Sequence, residues 1–140
     1  EADEEVCIPS NKIGNDFIRL ATPTSSIKRL PTIIKNASGF LYYVSVLGIT
    51  GSKTPEIKSI KKNVEIIKSF SEIPVAVGFG IKTPIQAASI AQTSDAIVVG
   101  SAIIEKIYDT YKKNHSDELF VVEEVSNFVE SLSNAISSNN

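Results

Sequence analysis

Four short runs rich in β-branched and aromatic residues alternate with helical patterns along the 140-residue chain. No other feature of the sequence restricts the fold as much. Strands that recur every 20–35 residues or so, each followed by a helix, cannot pair as hairpins and instead build βα units around a parallel sheet. The runs are Phe17–Ala21, Gly39–Ser45, Pro74–Gly78 and Asp95–Val99. Helices are expected over Ile27–Asn36, with Pro31 marking the true first turn, and from Thr54-Pro55-Glu56 onward, with a stripe of Ile57, Ile60, Val64 and Ile67. Thr83-Pro84 opens the next helix, with Ile85, Ala88 and Ala91/Ala87 inward. Gly100-Ser-Ala102 leads into a short helix ending near Tyr111. A last amphipathic helix buries Val122, Val125, Phe128/Val129, Leu132 and Ile136.

Four units are half of an eight-unit barrel, and an open four-stranded parallel sheet is the competing arrangement. Residues 1–140 are expected to form one partial domain, with the Ser/Asn-rich end 133–140 frayed. The segment before Phe17, with Pro9 and Gly14, fits an amphipathic helix poorly. The absence of Met leads us to expect a piece of a longer polypeptide.

Apolar residues make up 42% of the chain, enough for a packed core, and the longest apolar runs are far too short to span a bilayer. A net charge of -2 without a basic stripe argues against nucleic acid. Cys7 is the sole cysteine, which rules out an internal disulfide and suits a reducing cytoplasm.

In parallel α/β proteins ligands gather at the carboxyl ends of strands. Three of these ends carry glycines: Gly48-Ile-Thr-Gly51, Gly78-Phe-Gly80 and Gly100-Ser101. Glycine lets backbone amides approach an anion, and a helix starting after Gly100 aims its first amides and the Ser101 hydroxyl at the same point. The pattern points to phosphate binding, with no metal. Lys53 and Lys82 are nearby cations, expected to be solvated rather than to hold the anion. No carboxylate or His occurs in Thr22–Ser26, Val46–Lys53, Phe79–Lys82 or Ser101–Ile104, so these strand ends offer no general acid or base. Asp16 and Asp95 stand at strand starts, where a stabilising role is expected, and His115 lies in a polar break.

Phe40-Leu-Tyr-Tyr-Val-Ser-Val-Leu-Gly-Ile-Thr-Gly51, Pro74-Val-Ala-Val-Gly-Phe-Gly-Ile-Lys-Thr-Pro84 and Ala96-Ile-Val-Val-Gly-Ser-Ala-Ile103 resemble successive blocks of the tryptophan synthase α chains. Ala21-Thr-Pro-Thr-Ser25 is similar to the block before them. The resemblance implies the C-terminal half of a TIM (β/α)8 barrel with an extra short phosphate-binding helix. It also implies a lyase cleaving indole-3-glycerol phosphate to indole and glyceraldehyde 3-phosphate in tryptophan biosynthesis. By the same resemblance Gly51, Gly80, Gly100 and Ser101 bind the phosphate, Phe79 and Tyr42 wall the indole pocket, and Tyr42 and Thr50 support catalysis, Thr50 from a mobile loop. The catalytic Glu and Asp belong to the family's N-terminal half, which leaves the fragment alone inactive. The chain needs no cofactor; pyridoxal phosphate belongs to a partner β chain in an α2β2 assembly. Val46 departs from the Arg that many members carry. Another phosphate-binding barrel synthase or isomerase, or a non-catalytic half-barrel remnant, are the alternatives.

Overall fold

The computed structural model describes residues 3–45, 57–78, 80–113 and 117–138. Strands β1 (Arg19–Ala21), β2 (Leu41–Val44), β3 (Val75–Gly78) and β4 (Ala96–Val98) form one sheet in sequence order. All three pairings are parallel. The helices are α1 (Ile8–Lys12), α2 (Leu30–Ile34), α3 (Ile57–Lys68), α4 (Pro84–Ala91), α5 (Ser101–Lys113) and α6 (Glu118–Ser137). Among the described residues no helix is long and apolar enough to cross a membrane.

The strands are shorter than their apolar runs, and side-chain bonds explain one case. Phe17 donates its N–H to the Ser38 hydroxyl at 2.8 Å, which takes that amide out of the ladder. α2 is trimmed too: Arg29 and Leu30 bond back to the Ser26 carbonyl in a turn, and Pro31 sits in the first helical turn, where its missing N–H costs nothing. α4 begins at a capping box, in which Thr83 accepts from the Gln86 amide and Gln86 reaches back to the cap backbone.

The segment before Phe17 is not one continuous amphipathic helix, as its poor fit to that pattern suggests. Asp3–Cys7 forms a π-helical turn that runs into α1. Pro9 lies in the first turn of α1, and Gly14, at φ 83°, follows its end. Both residues therefore act as helix punctuation. The buried Cys7 thiol donates to the Asn36 carbonyl at 3.2 Å, and Arg19 is ion-paired with Asp3. Burial opposes the charge on Arg19, but its partners, Asp3 foremost, together more than offset it, and the Arg19 hydrogen bond holds the Asp3 carboxyl below its ordinary range.

One face of the sheet carries the core. Ala21, Leu41, Tyr43, Val75 and Val77 pack with Leu30 of α2, Ile60, Val64 and Ile67 of α3, Ala87 and Ile90 of α4, and Leu132 of α6. Burial raises the Tyr43 phenol above its ordinary range, and a hydrogen bond from Asn63 offsets part of the rise. Two expected stripes are rotated. Ile85 is 80% exposed, so α4 packs through Ala87 and Ile90. Val122 and Val129 of α6 also face outward, and Phe128, Leu132 and Ile136 meet the core.

The opposite face follows from register. Leu20, Tyr42, Ala76 and Ala96 form one row, and Val44, Gly78 and Val98 the next. None of the core helices just named lies over it, and Leu20 is 61% exposed. Parallel sheets are ordinarily covered on both faces. The accessible surface is 9330 Å², against about 7,100 Å² for a compact monomer of 15.1 kDa. Edge strands β1 and β4 add unpaired backbone groups. In sedimentation this 140-residue chain is expected to self-associate; a monodisperse monomer would contradict that.

Asp95 organises the amino-terminal rim. Its Oδ2 accepts the Val75 N–H at 2.8 Å, and its Oδ1 accepts from Lys68 Nζ at 2.7 Å. Burial pushes this carboxyl up, but the Lys68 and Val75 hydrogen bonds together hold it below the ordinary carboxylate range. A depressed acid adds stability above its unfolded pKa of about 3.9 and loses it as pH falls through the lower folded value. Asp95→Asn is therefore expected to cost about 1 kcal/mol near neutrality in thermal melts, given the half-exposed pair. The gap from the parent protein should close at acid pH; a gap that persists there would show that charge is not the cause.

Candidate functional site

The carboxyl ends of the strands differ chemically from the amino-terminal rim. After β1 the chain forms a hydroxyl-rich turn, where Thr22 N–H donates to the Ser25 hydroxyl at 3.0 Å and the Thr22 and Thr24 hydroxyls meet at 2.9 Å. At the end of β2, the buried Ser45 donates both its N–H, at 3.1 Å, and its hydroxyl, at 3.0 Å, to the Gly78 carbonyl. These bonds lock the tops of β2 and β3 together.

Gly78 pairs with Val98 across β3 and β4. Gly80 and Gly100 each follow that pair by two residues in sequence, just past the carboxyl ends of β3 and β4. Both are exposed, and a Cβ built at either would meet nothing within 4 Å. Gly80 has φ +78°, a backbone conformation that favours glycine. The Gly100 carbonyl accepts from Ile103 N–H at 3.0 Å and Ile104 N–H at 3.2 Å, which starts α5 at Ser101. The first amides of a helix have no partner within it, and the dipole makes that end positive. Gly80, Gly100 and the exposed Ser101 thus all stand at the carboxyl ends of the neighbouring strands β3 and β4.

Tyr42 lies on the sheet face that the core helices leave clear, and its ring extends along β3. A Cβ built on Gly78 would stand 2.6 Å from Tyr42 Cζ and closer still to Oη. Gly78 is therefore the seat of the Tyr42 ring, and the hydroxyl rests near the carboxyl end of β3. Sequence reasoning missed this fit, because the contact joins two strands. Gly78→Ala is expected to displace Tyr42 and lower the melting temperature, and adding Tyr42→Ala should recover part of the loss. A double variant melting at the sum of the two single losses would refute the contact.

Thr50, Gly51 and Phe79 lie outside the described residues, as do Val46, Lys53 and His115. Lys82 is not a free loop cation: its Nζ meets both carboxylate oxygens of Glu105 at 2.9 Å. Glu105 was missed because the strand-end segment, judged by sequence, stopped at Ile104. Within the described strand-end segments, residues 22–26, 80–82 and 101–104, no acid or His is present. Among the described residues no three His, Cys, Asp or Glu side chains group in a way that could hold a metal ion.

The tryptophan synthase alpha chain family model matches residues 1–136. Tryptophan synthase subunit alpha from Legionella pneumophila str. Paris is similar in structure, with 33% identity and a TM-score of 0.80 over 99% of this chain and 48% of that one. The alpha chain from Legionella pneumophila subsp. pneumophila shows 34% identity and a TM-score of 0.78 over 98% and 48%. Tryptophan synthase from Mycobacterium tuberculosis in space group F222 shows 27% and 0.78 over 96% and 47%. This chain spans about half the length of each of these solved chains.

Proposed function

This chain belongs to the tryptophan synthase alpha chain family, and on that premise we propose that it supplies the phosphate-holding part of a carbon–carbon lyase acting on indole-3-glycerol phosphate. Its four-stranded parallel sheet is part of a (β/α)8 barrel. The observation that carries the reading is that Gly80 and Gly100 follow the paired ends of β3 and β4, with Ser101 opening the 13-residue α5.

A phosphate monoester seated there is held by backbone amides, the Ser101 hydroxyl and the helix dipole. Binding energy gathered at the phosphate fixes the distant reacting carbons, which is how a non-reacting group serves catalysis. Tyr42, on its Gly78 seat, is proposed to line the indole pocket beside the substrate. Phe79 is proposed to wall the indole, Gly51 to complete the phosphate site, and Thr50 to act from the loop after β2. The cleavage protonates the ring carbon that bears the side chain and removes a proton from the hydroxyl on the adjacent carbon. The bond pair returns to the ring and an aldehyde forms. The acid and base for these steps belong to the part of the family's barrel that this chain does not span. No cofactor is needed on this chain; indole is passed to a β chain carrying pyridoxal phosphate in an α2β2 complex. The single buried Cys7 suits a cytoplasmic setting.

Glycerol 3-phosphate is the direct test. At a hundred times its dissociation constant it should stabilise the protein by about 2.7 kcal/mol. Gly100→Asp, which places a carboxylate in the cradle, should abolish the protection. Equal protection of both proteins would refute the site.

A further inference from the structure

Lys82 leaves the β3–α4 turn two residues after Gly80, and Glu105 stands one helical turn after Ser101. Their ion pair, at 2.9 Å to each carboxylate oxygen, crosses 23 residues of sequence and joins the two segments whose glycines form the cradle. The root of Lys82 is itself fixed, since its backbone N–H donates to Gln86 Oε1 at 2.9 Å within the α4 capping box. The next residue along α5, Lys106, binds Glu124 of α6 at 2.6 Å. Successive residues of an α-helix point about 100° apart. α5 is therefore tethered from two directions, to the turn below the cradle and to α6.

We propose that Lys82 and Glu105 are positioning residues for the phosphate cradle. The pair sets the spacing between the Gly80 turn and the first turn of α5. It also neutralises a carboxylate that would otherwise repel a dianion nearby. The inference rests on the phosphate reading of this site and assigns Lys82 a part in it other than direct ligation. Lys82 has its charge satisfied by both Glu105 oxygens and would have to release them to reach a ligand. Both side chains are roughly half exposed, at 54% and 56%, so salt screens the attraction. An exposed pair of this kind corresponds to about a two- to fivefold change in binding.

The test is a titration of the chain with glycerol 3-phosphate, for the parent protein and for Lys82→Ala, Glu105→Ala, Lys82→Arg and the exchanged pair Lys82→Glu with Glu105→Lys. Each alanine variant should bind about two- to fivefold more weakly. Lys82→Arg and the exchanged pair should restore affinity, and the differences should shrink as salt is raised. Melting curves without ligand identify any variant that fails to fold, in which case Lys82→Arg and the exchanged pair carry the comparison. Unchanged or tighter binding by Glu105→Ala would make Lys82 a direct ligand and overturn the proposal, as would an exchanged pair that fails to restore binding. Equal binding by parent protein and Gly100→Asp, or no binding by either, overturns the phosphate reading itself.

Discussion

The height of β3 relative to its two neighbours is the constraint on which the other features rest. A slip of one residue would turn the core row of Leu41, Tyr43, Val75 and Val77 to the wrong face of the sheet. It would also break the pairing of Gly78 with Val98, from which the Gly80 and Gly100 turns depart. Two sets of bonds oppose such a slip from opposite ends of the strand. At the amino end Asp95 receives the Val75 amide, while its own N–H donates to the Val75 carbonyl at 3.0 Å. At the carboxyl end the Gly78 carbonyl takes both donors of Ser45. Apolar packing selects the face, and these polar bonds select the register.

The two rims of the sheet divide the labour by chemistry. The amino-terminal rim carries ion pairs, Asp3 with Arg19 and Asp95 with Lys68, which tie helices to strand starts. The described carboxyl rim is built of glycines, hydroxyls and helix-start amides, and its one nearby carboxylate, Glu105, is matched by Lys82. An anion arriving there meets partial positive charge on the backbone and little opposing charge. In the phosphate site proposed above, these oriented dipoles would need no rearrangement on binding.

Most of the architecture was legible in the sequence because it is written locally. Runs such as Pro74–Gly78 announce strands, and Thr83-Pro84 announces a helix start. Gly80, Gly100 and Ser101 could be put past strand ends because a βα alternation fixes which end of each strand a turn follows. What escaped was non-local or angular. Ile85 looked like core by hydrophobicity, yet its angular position in the first turn of α4 sends it outward. Pro9 and Gly14 read as breakers, and they do bracket the five-residue α1, at its start and past its end. The Gly78 seat for Tyr42 and the Lys82–Glu105 pair join residues far apart in sequence, and no local pattern encodes them.

The double tether of α5 has a consequence for how this segment can vary. Glu105 and Lys106 reach different neighbours only because a fixed number of residues separates them from Gly100. Adding or removing one residue in the first turn of α5 would rotate both by about 100° and break the two contacts together. Exchange of side chains there disturbs one bond at a time. The stretch from Gly100 to Lys106 should therefore tolerate changes of residue far better than changes of length, a ruler more than a motif.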